Sequence, residues 1–180
     1  MKRLVLILIL TFSVSAFGQK SAAELDPQHG RALESYLKTR AGMSLRPETV
    51  VEREYLASMQ EMLGAGAKTN YAVGDFNRDR RPDFAVLLNR PGKPRNLPPG
   101  ESQSSSEHFP DFPLHLVVFN GGPRSTFRPA FTMNFYGPRA AFIHFDKKAG
   151  RLFYGVFETD SDTFSVTPRG SGYRVKNEAL

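Results

Sequence analysis

The 180-residue chain contains no cysteine and no tryptophan, and only four histidines. Without cysteine there is no disulfide, no thiol nucleophile, no thiolate metal site and no lipobox residue to carry a lipid. Stability has to come from packing, with or without a bound metal. Without tryptophan, a sugar-stacking platform lacks its largest ring. Phe142, Phe145, Phe153, Phe157, Phe164 and Tyr173 read instead as cross-strand packing partners. A GxSxG nucleophile motif, a phosphate-binding glycine loop and an HExxH pattern are all missing. His29, His108, His115 and His144 fall in different elements. His144, in FIHFD, reads as a surface or internally satisfied residue.

Long apolar runs are missing too. The chain opens with Lys2 and Arg3, a short apolar stretch over residues 4–10, and small residues with Ala16 and Gly18 placed for cleavage before Gln19. That layout predicts a secretory signal peptide over 1–18. The apolar stretch falls short of the ~20 residues that a spanning helix needs, so no transmembrane segment is expected after cleavage. The expected location is periplasmic or extracellular. Removing residues 1–18 from 180 leaves 162, which suits a single domain with a real core. The formal net charge of +6 becomes +4 once Lys2 and Arg3 are gone. That balance favours an anionic envelope surface or another protein as partner over nucleic acid, for which there is no recognisable motif.

Asp26-Pro27 predicts a capped helix start. Ala32, Leu33, Tyr36 and Leu37 then repeat at helical spacing, and Gly42 supplies a stop. A second helix is expected from Pro47, with Val51, Tyr55, Met59 and Leu63 on one face and the Met59–Met62 pair in the core. Strands are expected over 71–73, 84–88, 114–119, 127–135, 140–145, 152–157, 164–167 and 173–175, joined by Gly-, Asn- and Pro-rich turns. Residues 89–113, with SQSSSE at their centre, are too rich in proline and serine to bury much and predict a mobile loop. The expected class is α+β: two N-terminal helices packed on an antiparallel β-meander.

One segment carries chemistry. Residues 74–88 read GDFNRDRRPDFAVLL. Asp75, Asn77, Asp79 and Asp83 stand at positions one, three, five and nine, and the backbone carbonyl of Arg81 falls at seven. Calcium takes about six to eight oxygens from carboxylates, amides, carbonyls and water, and this alternation on a curved loop supplies them. With no histidine or thiol in the loop, a transition metal is disfavoured. Three other uses stay open. Arg78, Arg80 and Arg81 pair with the carboxylates in a metal-free hairpin; or Asp75 or Asp79 serves as a catalytic acid; or a hydrolase site forms near Glu158, Asp160 and Asp162 in FETDSDTF.

The segment resembles the GDFNGDGxxDLAV signature of FG-GAP and VCBS repeats, the calcium-loop hairpins of integrin-type β-propellers. The likeness covers about fifteen residues. It implies a hairpin in which Asp75, Asn77, Asp79 and Asp83 hold calcium between two strands. Arg80 replaces the family glycine, where a left-handed backbone costs arginine on the order of 1 kcal/mol. Only one copy is present, so a complete propeller is not expected. The function implied is that of a noncatalytic binding or structural module whose hairpin calcium stabilises.

Overall fold

The structure, a computed structural model, describes residues 25–48, 53–64, 67–95, 110–156 and 164–178. Helix α1 (Pro27–Leu37) begins as its sequence dictates: the Asp26 carboxylate accepts the Gln28 N–H at 2.8 Å, with proline in the first turn. It stops at Leu37, before Gly42, whose left-handed φ of 78° turns the chain into a short strand, β1 (Ser44–Leu45). Helix α2 spans Arg53–Leu63 rather than starting at Pro47; residues 49–52 lie outside the described set. Among the described residues no helix is long and apolar enough to cross a membrane.

The described strands form two antiparallel sheets and no closed barrel. The first holds β2 (Tyr71–Gly74), β3 (Asp83–Asn89), β4 (Phe112–Gly121) and β5 (Phe127–Gly137). One edge of β3 is shared: β2 pairs along its start, Gly74 opposite Asp83, and β1 along its end, Leu45 opposite Leu88. The second sheet is a four-stranded meander of β6 (Ala141–Asp146), β7 (Arg151–Val156), β8 (Phe164–Arg169) and β9 (Gly172–Asn177). The expected single meander is therefore divided in two.

Alternation along β3 and β4 explains why both strands read as unbroken apolar runs. Ala85, Leu87, Leu114, Leu116 and Val118 face the second sheet and meet Ile143, Leu152, Tyr154 and Val166 in one buried cluster. Phe84, Val86, Leu88, Val117 and Phe119 point the other way and meet Leu33 and Tyr36 of α1. With both faces covered, neither strand has a polar side to show. Truncating a fully buried residue such as Leu116 would cost about 2–5 kcal/mol. Polar residues inside the α1 layer are satisfied in kind. His29 Nδ1 meets the Tyr71 hydroxyl at 2.5 Å, and His115 bridges the Tyr36 hydroxyl at 2.6 Å and Asn134 Oδ1 at 2.5 Å.

The division falls at the corner between β5 and β6, where one side chain collects the carbonyls. The Arg46 guanidinium, almost fully buried, donates to Ala141 O at 3.2 Å, to Pro138 O at 3.3 Å and to Arg139 O. Two expectations need correction. Met59 is buried but lies outside both clusters, and Met62 is 65 % exposed, so the pair is not a core pair. The loop expected over 89–113 is ordered at both ends, because Arg95 and Asp111 exchange backbone hydrogen bonds of 2.8 Å and β4 already begins at Phe112. Its middle, 96–109, lies outside the described residues.

Candidate functional site: the acidic hairpin

The acidic segment does join two paired strands, linking β2 to β3. Its entrance is set by packing. A Cβ on Gly74 would lie 2.2 Å from the Phe145 ring, so only glycine lets β6 lean this close. Phe76, two residues on, is buried against the same ring at 5.0 Å. The leading glycine and phenylalanine thus anchor the loop to the core between the sheets.

Beyond Phe76 the side chains fold back on their own backbone. Asp75 Oδ1 accepts the Asp79 N–H at 3.0 Å and its Oδ2 the Arg80 N–H at 2.9 Å. Asn77 Oδ1 accepts the same Asp79 N–H at 2.9 Å, which brings the Asp75 and Asn77 oxygens side by side. Asp79 Oδ1 accepts the Arg81 N–H at 2.9 Å, and its Oδ2 takes the Asn77 amide at 3.2 Å. The turn passes through two left-handed residues, Arg78 (φ 63°) and Arg80 (φ 66°). Arginine pays about 1–2 kcal/mol at each. The bonds from the Asx side chains, each about 0.5–1.5 kcal/mol net, offset that strain.

Asp83 plays a different part. It is fully buried, and its Oδ2 accepts from the Phe76 N–H (2.8 Å) and the Asn77 N–H (3.1 Å), while Oδ1 accepts from the Gly121 N–H (2.8 Å). Gly121 approaches this closely because it has no side chain: a Cβ there would meet the Pro82 carbonyl oxygen at 2.2 Å. Asp83 therefore ties the loop entrance to the end of β4. Burial pushes its carboxyl above the usual carboxylate range, against the downward pull of its three donors. On the far side Tyr173 of β9 donates to Asn120 Oδ1 at 2.5 Å. Burial raises its hydroxyl pKa, and the charges of Asp83, Asp79 and Asp75 raise it further.

The expected ligands thus divide. Asp75, Asn77 and Asp79 form one linked set, with Arg81 on the same turn. Asp83 stands behind it, committed to backbone donors, and among the described residues no three acidic, histidine or cysteine side chains converge on a metal position. The linked set fits a hard cation only as a shallow site: two carboxylates that keep free lone pairs, one amide oxygen, the Arg81 carbonyl and water. The loop arginines do not neutralise it. Among the described residues none of Arg78, Arg80 and Arg81 forms an ion pair with a loop carboxylate. The Arg78 guanidinium lies over Gly150 instead. The metal-free alternative closed by arginine pairs is therefore replaced by closure through backbone N–H groups.

No family model, curated protein or solved structure matches the chain. What the hairpin does has to be argued from its own geometry. His144 is stacked between the rings of Phe142 and Phe153, at 5.6 and 5.2 Å. Glu158, Asp160, Asp162 and His108 lie outside the described residues. His29 and His115 are buried among hydroxyl, amide and ring partners, and burial lowers the pKa of both. The structural role of Asp83 was missed in the sequence because a ninth-position carboxylate looks the same whether it faces an ion or a backbone.

Proposed function

We propose that the protein is an exported, noncatalytic binding module, periplasmic or extracellular, in which a single FG-GAP-like hairpin is carried by a helix-backed pair of sheets rather than a propeller blade. Calcium acts as a brace on this hairpin. Asp75, Asn77 and Asp79 hold it with the Arg81 carbonyl, and Asp83 supports the loop from behind without touching the ion. The observation that carries this reading is the shared Asp79 N–H, which draws the Asp75 and Asn77 oxygens together on a turn that keeps left-handed geometry at Arg80.

The test is thermal unfolding with excess calcium and with chelator, for the wild type and for an Asp75→Ala, Asp79→Ala double variant. An ion that binds only the folded state adds ~2.7 kcal/mol at a hundredfold excess over Kd, or about 5–10 °C for a chain of this size. The wild type should show that shift and the double variant should not. Equal midpoints in calcium and chelator for the wild type would remove the brace.

A further inference from the structure

A cavity of about 390 Å³ opens at the opposite end of β3 from the acidic hairpin, about 20 Å away along the strand. Its walls come from Asn89 and Arg90 at the end of β3, Phe112 and Pro113 at the start of β4, and Arg139 at the β5–β6 corner. Arg46 also lines it. Three of these residues are arginines and none is acidic.

Among the described residues the three arginines have no ion-pair partner. Arg46 spends its described bonds on three neutral carbonyls. Of the three only Arg46 is buried, Arg90 being half-exposed and Arg139 exposed, and a buried charge is ordinarily paired because an uncompensated one costs several kcal/mol. Arg90 adds a second signal. Among the described residues its Nε–H is buried and meets no hydrogen-bond partner, although its backbone N–H is fixed to Pro113 O at 3.0 Å. The adjacent acid, Asp111, is joined through its backbone to Arg95; burial raises its carboxyl pKa, and the Arg95 charge opposes that rise. Aromatic rings hold the guanidiniums in place. Arg139 lies 5.4 Å from the Phe112 ring centre, and Arg90 and Arg95 lie 5.7 and 4.0 Å from that of Tyr136.

We propose that this cleft binds a phosphomonoester group, with Arg46, Arg90 and Arg139 as its ligands. Guanidinium forks match phosphate oxygens in geometry. A phosphomonoester brings about −1.5 to −2 charge at neutral pH, whereas a lone carboxylate balances one of the three arginines. The volume lies within the ~300–1,000 Å³ typical of small-ligand sites, so the ligand carries a body beyond the phosphate, set against Phe112. The group is either that of a soluble phosphomonoester or that of a lipid headgroup. The site is independent of the calcium hairpin, and either can fail alone.

The experiment is calorimetric titration of the purified protein in low-salt buffer with glycerol phosphate and, at matched ionic strength, malonate. Glycerol phosphate should bind one to one and at least about tenfold more tightly than malonate. Arg90→Gln and Arg139→Gln should each weaken it about tenfold while keeping the wild-type thermal midpoint, since neither guanidinium holds a backbone group. Arg46→Lys, which disturbs the corner, is a supporting variant only. No binding of glycerol phosphate, equal affinity for malonate, or unchanged affinity in Arg90→Gln would overturn the proposal. Cosedimentation with phosphatidylcholine vesicles, with and without phosphatidic acid, separates the sources. Phosphatidic-acid-dependent pelleting that glycerol phosphate competes away assigns the lipid headgroup, and calorimetric binding with no pelleting assigns the soluble ligand. Pelleting unaffected by Arg90→Gln and Arg139→Gln would take the contact away from this cleft.

Discussion

Asp83→Ala separates a carboxylate that builds the loop from one that binds an ion. The substitution removes the acceptor of three backbone donors, the N–H groups of Phe76, Asn77 and Gly121. Phe76 and Gly121 are buried, while Asn77 is half-exposed and can turn to water. A buried donor left without an acceptor costs about 1–3 kcal/mol, and two such donors with a small cavity give a loss of about 3–5 kcal/mol. For a chain of this length that is a fall of about 6–20 °C in the thermal midpoint. Asp83→Asn should lose less, about half as much, because one oxygen survives while the amide meets a donor. The assay is urea unfolding followed by circular dichroism in the presence of chelator, where no ion contributes, with the slope unchanged from wild type. A loss under about 1 kcal/mol would refute the backbone-clamp reading. So would a loss that appears only when calcium is added, which would make Asp83 a ligand.

Arg80→Gly should stabilise the hairpin by up to about 1 kcal/mol in chelator, because glycine relieves the left-handed strain at φ 66° while loosening the unfolded chain. A destabilised variant would show that the arginine side chain contributes contacts that outweigh the strain. A second prediction concerns acid. Burial holds the folded-state pKa of His29 and His115 below the ordinary 6.5; at His115 the Asn134 hydrogen bond opposes this while Arg40 and Arg90 add to it, and at His29 Asp26 opposes it. Below about pH 6.5 the unfolded chain takes up protons that the folded chain refuses, so stability should fall between pH 7.5 and 5.5, by at most ~1.4 kcal/mol per pH unit for each histidine. Denaturant midpoints across that range check this, with a shallower slope expected for His115→Gln. Flat or rising stability on acidification would contradict it.

The hairpin was legible because its signals are local. The alternating oxygens and the backbone N–H groups they bind lie within ten residues, although Gly74 and Phe76 find their partner, Phe145, far along the chain. The continuous runs of β3 and β4 were legible as strands but not as doubly covered ones, since a sequence shows that a residue is apolar and not which layer covers it. Met62 misled for the related reason that helical spacing assigns a face without supplying a partner for it. The clamp at Asp83 depends on Gly121, which lies 38 residues away, and no periodicity connects the two.

Arg46 was the least legible of all, and its position explains why the strands separate into two sheets. Sequence patterns register side chains that alternate, whereas a sheet corner is decided by where unpaired carbonyls go. Pro138 has no N–H to extend the β5 ladder, so the chain must leave the first sheet there and expose the carbonyls of Pro138, Arg139 and Ala141. One guanidinium can reach all three, and the cost of doing so is a buried positive charge. Burial draws the Arg46 pKa down to about 10, which still leaves it charged at neutral pH. No neutral side chain carries enough N–H groups to serve three carbonyls at once, and a charged donor bonds each more strongly. The same guanidinium lines the cavity shared with Arg90 and Arg139, so the group that closes the corner also brings a buried positive charge to that cleft.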